Sequence, residues 1–376
     1  MNLHARSVNQ DVRELGALLG DVFAAQTCSA AFDTVEELRT AAIDYRDGEL
    51  ASRQPLRDTI DACSADREAV VARAFTAYFE LINLAEERQR VRAIRSDRHA
   101  NELDHSLRAT AEVLAEADRA DLERVLEDVQ VVPTFTAHPT EARRKTVKAK
   151  LRSIGTLLQD LDEHRLTDDE QARLENELRA EVTSLWATPQ VRKRSPEPTD
   201  EARNVRWYLE NTLFDVVGDF YADLEKAFEA AGLDVAVPAL FGFRSWAGSD
   251  RDGNPHVTPG VTAATLSRQR ESAIDRYDEH LTALTEALSH GGERLDTGGA
   301  FEASLDADHE RLPTPAEAAA RRNPEEPYRQ KLTLMRERLA RVSDDRPGGY
   351  EDAAELVADL EVLADSLRAN GSEVIA

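Results

Sequence analysis

The sequence predicts a mostly α-helical protein into which the first strands of an α/β barrel are set. Three observations predict it. Apolar residues recur at i, i+3, i+4 and i+7 through most of the chain. Only two runs rich in β-branched and aromatic residues, at 129–136 and 237–246, break that period. Long helical stretches follow each of them, the order of a strand–helix repeat.

Asp11–Phe23, Thr34–Tyr45 and Arg67–Arg95 carry the helical period with charge on the opposite face. Asn101–Ala117 and Asp121–Asp128 contain neither Pro nor Gly. Residues 1–128 therefore read as an amino-terminal helical layer, and 129–376 as the first part of an α/β barrel with long helical insertions. Val129–Thr136 reads as a buried strand. Helices over Pro139–His164, Asp168–Leu185 and Thr199–Ala231 lead to the second strand, Val237–Trp246. The Gly and Pro punctuation of His290–Pro327 predicts a surface excursion. Helices at Pro327–Val342 and Tyr350–Arg368 come last, there is no internal repeat, and RANGSEVIA reads as no natural end to a domain.

The 376 residues hold 72 acidic and 47 basic side chains, a net charge of -25. Nucleic acid is an unfavourable partner for such a field. Lysine occurs only at positions 145, 148, 150, 193, 226 and 331. Dense carboxylates with arginine in place of lysine fit a high-salt cytoplasm, where salt screens the repulsion; an ordinary acidic protein is the alternative. Cys28 and Cys63 sit in no CxxC or Cys/His grouping, so a disulfide framework and a zinc site both lack ligands. The first residues have no secretory h-region, and no run of about 18 apolar residues occurs, so a cytoplasmic protein off the membrane is expected.

Three strings carry chemistry. In Thr134–Lys145, TFTAHPTEARRK, a strand end meets a helix start: Pro139 suits the first helical position, Glu141 the third, and His138 the N-cap. An imidazole beside unpaired backbone N–H groups is held neutral and ready to accept a proton. Arg143, Arg144 and Lys145 add three positive charges near a helix end that repels cations, so the cluster calls for phosphate, a carboxylate or bicarbonate. A capping histidine with arginines paired to the chain's own acids fits the same residues.

The second string, Trp246–Thr258, is WAGSDRDGNPHVT. Asp250 and Asp252 do not make a calcium loop, because Pro255 stands where the turn glycine belongs and Val261 where the bidentate Glu belongs. A Gly-Asn-Pro turn holding Asp250, Arg251, Asp252 and Asn254 reads as a positioning device, with carboxylates orienting arginines and a helix capped after Thr258. A solvated turn is the alternative. The third string, Leu185–Pro196, is a basic loop in an acidic chain, in which Arg192 and Arg194 either bind an anionic effector or pair with nearby acids.

Together these strings resemble phosphoenolpyruvate carboxylase. Thr136–Glu141 with Arg144 and Lys145 is similar to that family's signature around its catalytic histidine, and FRSWAGSDRDGNPHVT to its second string, departing at Ser249 where the family has glycine. A backbone requiring positive φ there would be strained by serine. DVRELGALLGDV, ARAFTAYFELINLAEE, LWATPQVRKRSPEPTDEAR and PEEPYRQKLTLMRERL extend the resemblance in family order. It implies a helix-rich (β/α)8, TIM-like barrel, a homotetramer, and a Mg2+ or Mn2+ cofactor whose ligands are expected outside this chain. It also implies phosphoenolpyruvate and bicarbonate as substrates and His138 as the catalytic residue. Family members are commonly more than twice as long, and no FHGRGG-like string occurs here. Two functions therefore stand: part of a carboxylase, or a non-catalytic anion-binding or interaction protein derived from one.

The charge makes one expectation direct. Melting followed by circular dichroism should move steeply upward between low and molar potassium chloride, and a flat response would contradict the high-salt reading.

Overall fold

The structure is a computed structural model that describes residues 4–100, 102–136, 144–163, 165–190, 196–292 and 296–371. The chain divides into two compact units. The first takes Met1–Val129, His138–Ser195 and Ala222–Pro238, and the second takes Gln130–Ala137, Pro196–Tyr221 and Ala239–Ala376.

The first unit is built on α1 (Val8–Gln26), α4 (Ala65–Ala100), α7 (Lys145–Glu163) and α8 (Asp168–Ala187), with α2 (Ser29–Arg46) against α4. α1 packs on α4, α4 on α7, α7 on α8 and α8 on α1, which closes a four-helix ring. The apolar period places Leu15, Leu19 and Phe23 on its inner face with Ala77, Leu81 and Ala85, Ile154 and Leu158, and Leu178, Val182 and Leu185. Ser7 caps α1, and Thr167 with Glu170 forms a capping box at α8. One end of the ring holds a buried ionic cluster. Arg92 pairs with Asp11 at 2.7 Å and with Asp162 at 2.8 Å, so one guanidinium joins α4 to α1 and α7. Burial alone would raise the Asp162 carboxyl, but Arg92, the Arg6 backbone N–H and nearby charge hold it below the usual carboxylate range.

Three short helices complete the amino-terminal stretch: α3 (Gln54–Asp61), α5 (Leu107–Leu114) and α6 (Arg119–Asp128). α3 is not predicted by the sequence pattern, and α5 is shorter than the expected 101–117 because Ser106 caps it, accepting from the Ala109 N–H. Asn101 and His164, at the edges of expected helices, lie outside the described residues.

The second unit contains the only strands among the described residues. β1 (Thr134–Phe135) pairs in parallel with β2 (Arg244–Ser245), and Val131 bridges Phe241. The strands are shorter than the runs that predicted them, because Pro133 can accept from the Arg244 N–H but has no N–H of its own to donate. Nor is the first run buried throughout: Val131 is 43% exposed.

The expected single helix over 199–231 is α9 (Pro198–Tyr208), a π-turn at Leu209–Leu213 and α10 (Phe214–Ala230). The first half of α10 braces β2: Phe220 meets Phe241 edge-on at 5.0 Å, and the Tyr221 hydroxyl accepts from the Leu240 N–H. α11 (Pro259–Ala287) follows, then α12 (Gly299–Arg311), α13 (Pro313–Arg322), α14 (Pro327–Ser343) and α15 (Ala353–Ala369).

The expected surface excursion is instead structural. α12 and α13 lie within it and deliver Phe301 and Leu312 to buried positions beside the α14 and α15 cores. At their centre Lys331 is fully buried, with Nζ 2.7 Å from Asp308, 2.6 Å from Asp359 and 2.7 Å from the Ser304 hydroxyl. Arg338 pairs with the same two aspartates and lies over the Tyr350 ring at 3.8 Å. Burial, then the Asp359 carboxylate that accepts its proton, push the Tyr350 hydroxyl far above its ordinary range.

No described helix is long and apolar enough to cross a membrane, and Cys28 and Cys63 are both free thiols.

Lys331→Met would leave Asp308 and Asp359 sharing one cation in a dry interior. Removing one member of such a cluster costs about 3–5 kcal/mol. Urea unfolding should show that loss, and an unchanged midpoint would mean the network contributes nothing net.

Candidate functional site

The site begins with the two-strand ladder in the second unit. The Gly242, Arg244 and Trp246 N–H groups donate to the Val131, Pro133 and Phe135 carbonyls at 3.0, 3.0 and 2.9 Å. Because the pairing is parallel, the chain leaves β1 and β2 at the same edge. Thr136 leads directly into the histidine string, and Trp246 into the DRDGNP string. Such an edge, at the carboxyl ends of parallel strands, is where α/β proteins assemble reactive loops.

The DRDGNP string is a self-braced loop. Asp250 Oδ1 accepts from the Asp252 N–H at 3.0 Å, and Asn254 Oδ1 from the His256 N–H at 3.0 Å. These are the Asx turns expected of such residues. Thr258 caps α11 by accepting from the Val261 N–H at 3.3 Å. The expectation that the carboxylates orient arginines is not met in this structure: among the described residues neither Asp250 nor Asp252 pairs with an arginine, because Asp250 is engaged with the loop's own backbone. Arg251 and Asp252 are exposed, and Asn254 is partly buried.

Gly248 and Gly253 adopt positive φ, at 77° and 68°. At Gly248 glycine is required twice over, since a Cβ there would also overlap the Thr265 hydroxyl. Thr262 fastens the same residue by donating to its carbonyl at 3.0 Å. Ser249 does not have the positive φ that would have strained it, and its hydroxyl donates at 3.2 Å to the Ser245 and Trp246 carbonyls. The departure from glycine at 249 is therefore accommodated without strain.

Of the histidine string's candidates, His138 and Arg143 lie outside the described residues, as do Arg192 and Arg194 of the basic loop. Arg144 and Lys145 are described in the first unit. Arg144 donates through its backbone N–H to Gln190 O and through Nη1 to Pro189 O, both at 3.3 Å, which binds the start of α7 to the chain leaving α8. The first and third strings are thus brought together. Leu185 and Trp186 anchor the basic loop in the core, with Trp186 edge-on to Phe23 at 5.1 Å and Arg73 over its indole at 4.7 Å. Lys145 opens α7.

Among the described residues no three His, Cys, Asp or Glu side chains gather as a metal cage. Asp250 and Asp252, the carboxylates nearest the strand edge, do not supply one, since one is engaged in a turn and the other points to solvent. The described residues do not fit a divalent ion.

The sequence of the whole chain decides the family. The phosphoenolpyruvate carboxylase family profile matches residues 8–376. The chain belongs to the phosphoenolpyruvate carboxylase family. A phosphoenolpyruvate carboxylase of Roseiflexus castenholzii is 35% identical across 97% of this chain, one of Xanthomonas euvesicatoria 34% across 96%, and one of Paraburkholderia xenovorans 34% across 95%. This chain spans only 41%, 41% and 38% of those proteins. Within the family string, Gly248 and its hold on α11 are features that the motif alone did not reveal; their signal is a glycine in the loop and threonines one turn apart after it.

Gly248→Ala should cost about 2 kcal/mol or more, from positive φ and overlap with Thr265, whereas Ser249→Gly should cost less than about 1 kcal/mol. Urea unfolding of the two variants compares them directly. Equal losses would contradict the loop geometry.

Proposed function

We propose that this chain is the amino-terminal part of a phosphoenolpyruvate carboxylase, a carbon–carbon lyase that joins bicarbonate to phosphoenolpyruvate to give oxaloacetate and phosphate. The observation that carries the proposal is the presence of TAHPTE and DRDGNP, in family order, directly after two adjacent parallel strands. These strands are the first of a helix-rich (β/α)8 barrel in this reading, with 1–128 as an amino-terminal helical layer and 129–376 as the first part of the barrel. Exposed apolar side chains on the ladder, with Trp246 at 55%, await further strands from the part of the relatives' length that this chain does not span.

In the reaction, a bicarbonate oxygen attacks phosphorus and the enol oxygen leaves, giving carboxyphosphate and the pyruvate enolate. His138 takes the carboxyphosphate proton as that species breaks into carbon dioxide and phosphate, and the enolate carbon then attacks the carbon dioxide. The histidine's role as base rests on the resemblance of its string to the family's, since the described helix after it begins only at Lys145. Arg143, Arg144 and Lys145 supply positive field for the anions, while Asp250, Arg251, Asp252 and Asn254 support the DRDGNP loop. Arg192 and Arg194 offer a second anion site for an effector.

Magnesium or manganese, held by ligands outside this chain, would neutralise phosphoryl charge. The complete enzyme is a cytoplasmic homotetramer in this reading. No observation favours the non-catalytic alternative, and retention of both strings speaks against it.

The test uses the 376-residue chain alone and co-expressed with the remaining portion of a family member. Oxaloacetate should form only in the second case, in a malate-dehydrogenase-coupled assay with magnesium and bicarbonate. In the active pair, His138→Asn should still release phosphate but yield pyruvate in place of oxaloacetate. Unchanged oxaloacetate would refute the catalytic role, and loss of both products would make His138 a binding or folding residue.

A further inference from the structure

The second unit contains a cavity of about 540 Å³ between α9 and α11 that neither family string accounts for. Arg203 and Arg206 enter it from α9 and Arg268 from α11, with Thr199, Thr265 and Gln269 between them. No carboxylate lines it, in a chain where acids outnumber bases 72 to 47. Three arginines thus line one small volume, and the guanidinium is the side chain whose donor geometry best matches an oxyanion.

Each arginine is held by a carboxylate on its own side of the groove. Arg203 pairs with Asp200 at 3.2 Å, Arg206 with Glu210 at 2.9 Å and Arg268 with Glu271 at 3.0 Å. None of these acids lines the cavity. A guanidinium carries five N–H donors, and one carboxylate at one contact leaves most of the fork for a ligand.

A second observation is independent of charge. The helix departs from regular geometry immediately after Arg206, in the π-turn at Leu209–Leu213, and a single-turn π-bulge is frequently found at functional sites. Glu210 lies in that turn, where it pairs with Arg206 and also accepts from the Ser272 hydroxyl of α11. The π-turn thus fixes the most enclosed of the three arginines and ties the two walls together.

We infer that the α9–α11 cavity binds a small, multiply charged oxyanion, a phosphate ester or a polycarboxylate, through the forks of Arg203, Arg206 and Arg268. Thr265 lines this cavity and also packs against Gly248, so the ligand would lie one helix face from the DRDGNP loop. The inference does not depend on the carboxylase reading, since it concerns binding to this chain itself.

Isothermal titration of the 376-residue chain, in potassium chloride of fixed ionic strength, uses inorganic pyrophosphate and citrate as separate probes. At least one should bind saturably at one site per chain. Arg203→Gln and Arg268→Gln, both on exposed helix faces, should each weaken it about tenfold while leaving the melting temperature without probe unchanged. Arg321→Gln, an exposed arginine on α13, should bind as the parent does. Preference for pyrophosphate would assign a phosphate ester, and preference for citrate a polycarboxylate. Failure of both probes to saturate, or equal weakening in Arg321→Gln, would overturn the inference.

Discussion

The parallel pairing of β1 with β2 is the constraint on which the site depends. It joins stretches about a hundred positions apart, a closure that costs roughly 4 kcal/mol in chain entropy by the logarithmic loop rule. Two short parallel strands do not recover that alone. The Phe220 and Tyr221 side chains supply the rest, one ring against Phe241 and one hydroxyl accepting from the Leu240 N–H. With the register fixed at Thr134 opposite Arg244, both family strings leave the ladder at one edge. An antiparallel pairing would send them to opposite ends.

Each unit also hides a charge cluster whose behaviour differs from that of the acidic surface. Arg92 with Asp11 and Asp162, and Lys331 with Arg338, Asp308 and Asp359, are shielded from solvent and little affected by salt. Surface carboxylates respond to ionic strength, while these clusters set which helices must meet. In the first unit one guanidinium selects three helices of the ring. In the second, the α14 cations gather carboxylates from α12 and α15.

The helices were largely legible in the sequence because their information is local, an apolar period of 3.6 with charge on the opposite face; caps such as Ser7 and Thr167, seen in the structure, fix where they start. What the sequence pattern missed is set by tertiary contacts. The Gly- and Pro-bearing stretch after His290 reads as loop until Asp308 is seen facing Lys331 and Phe301 packing on Tyr328. The π-turn interrupts 199–231 with no Pro or Gly among its own residues, Leu209–Leu213, where Glu210 is engaged by Arg206 and Ser272. Of the site, the strings were readable, and so was the turn chemistry of Asp250 and Asn254. The expected pairing of its carboxylates with arginine is absent among the described residues: Asp250 accepts instead from the Asp252 N–H two residues on, and Asp252 is exposed. The arginines of the α9–α11 cavity escaped notice because they come from helices about sixty residues apart in a chain rich in arginine.

Amide hydrogen exchange across 240–246 tests the ladder most directly. A parallel register hydrogen-bonds alternate residues, so the Gly242, Arg244 and Trp246 amides should exchange slowly while Phe243 and Ser245, facing away from β1, exchange fast. Pro133→Ala, which adds a donor to β1, should leave that alternation in place. Uniformly fast exchange at 242, 244 and 246, or slow exchange shifted to 243 and 245, would contradict the pairing and with it the common edge on which the site is built.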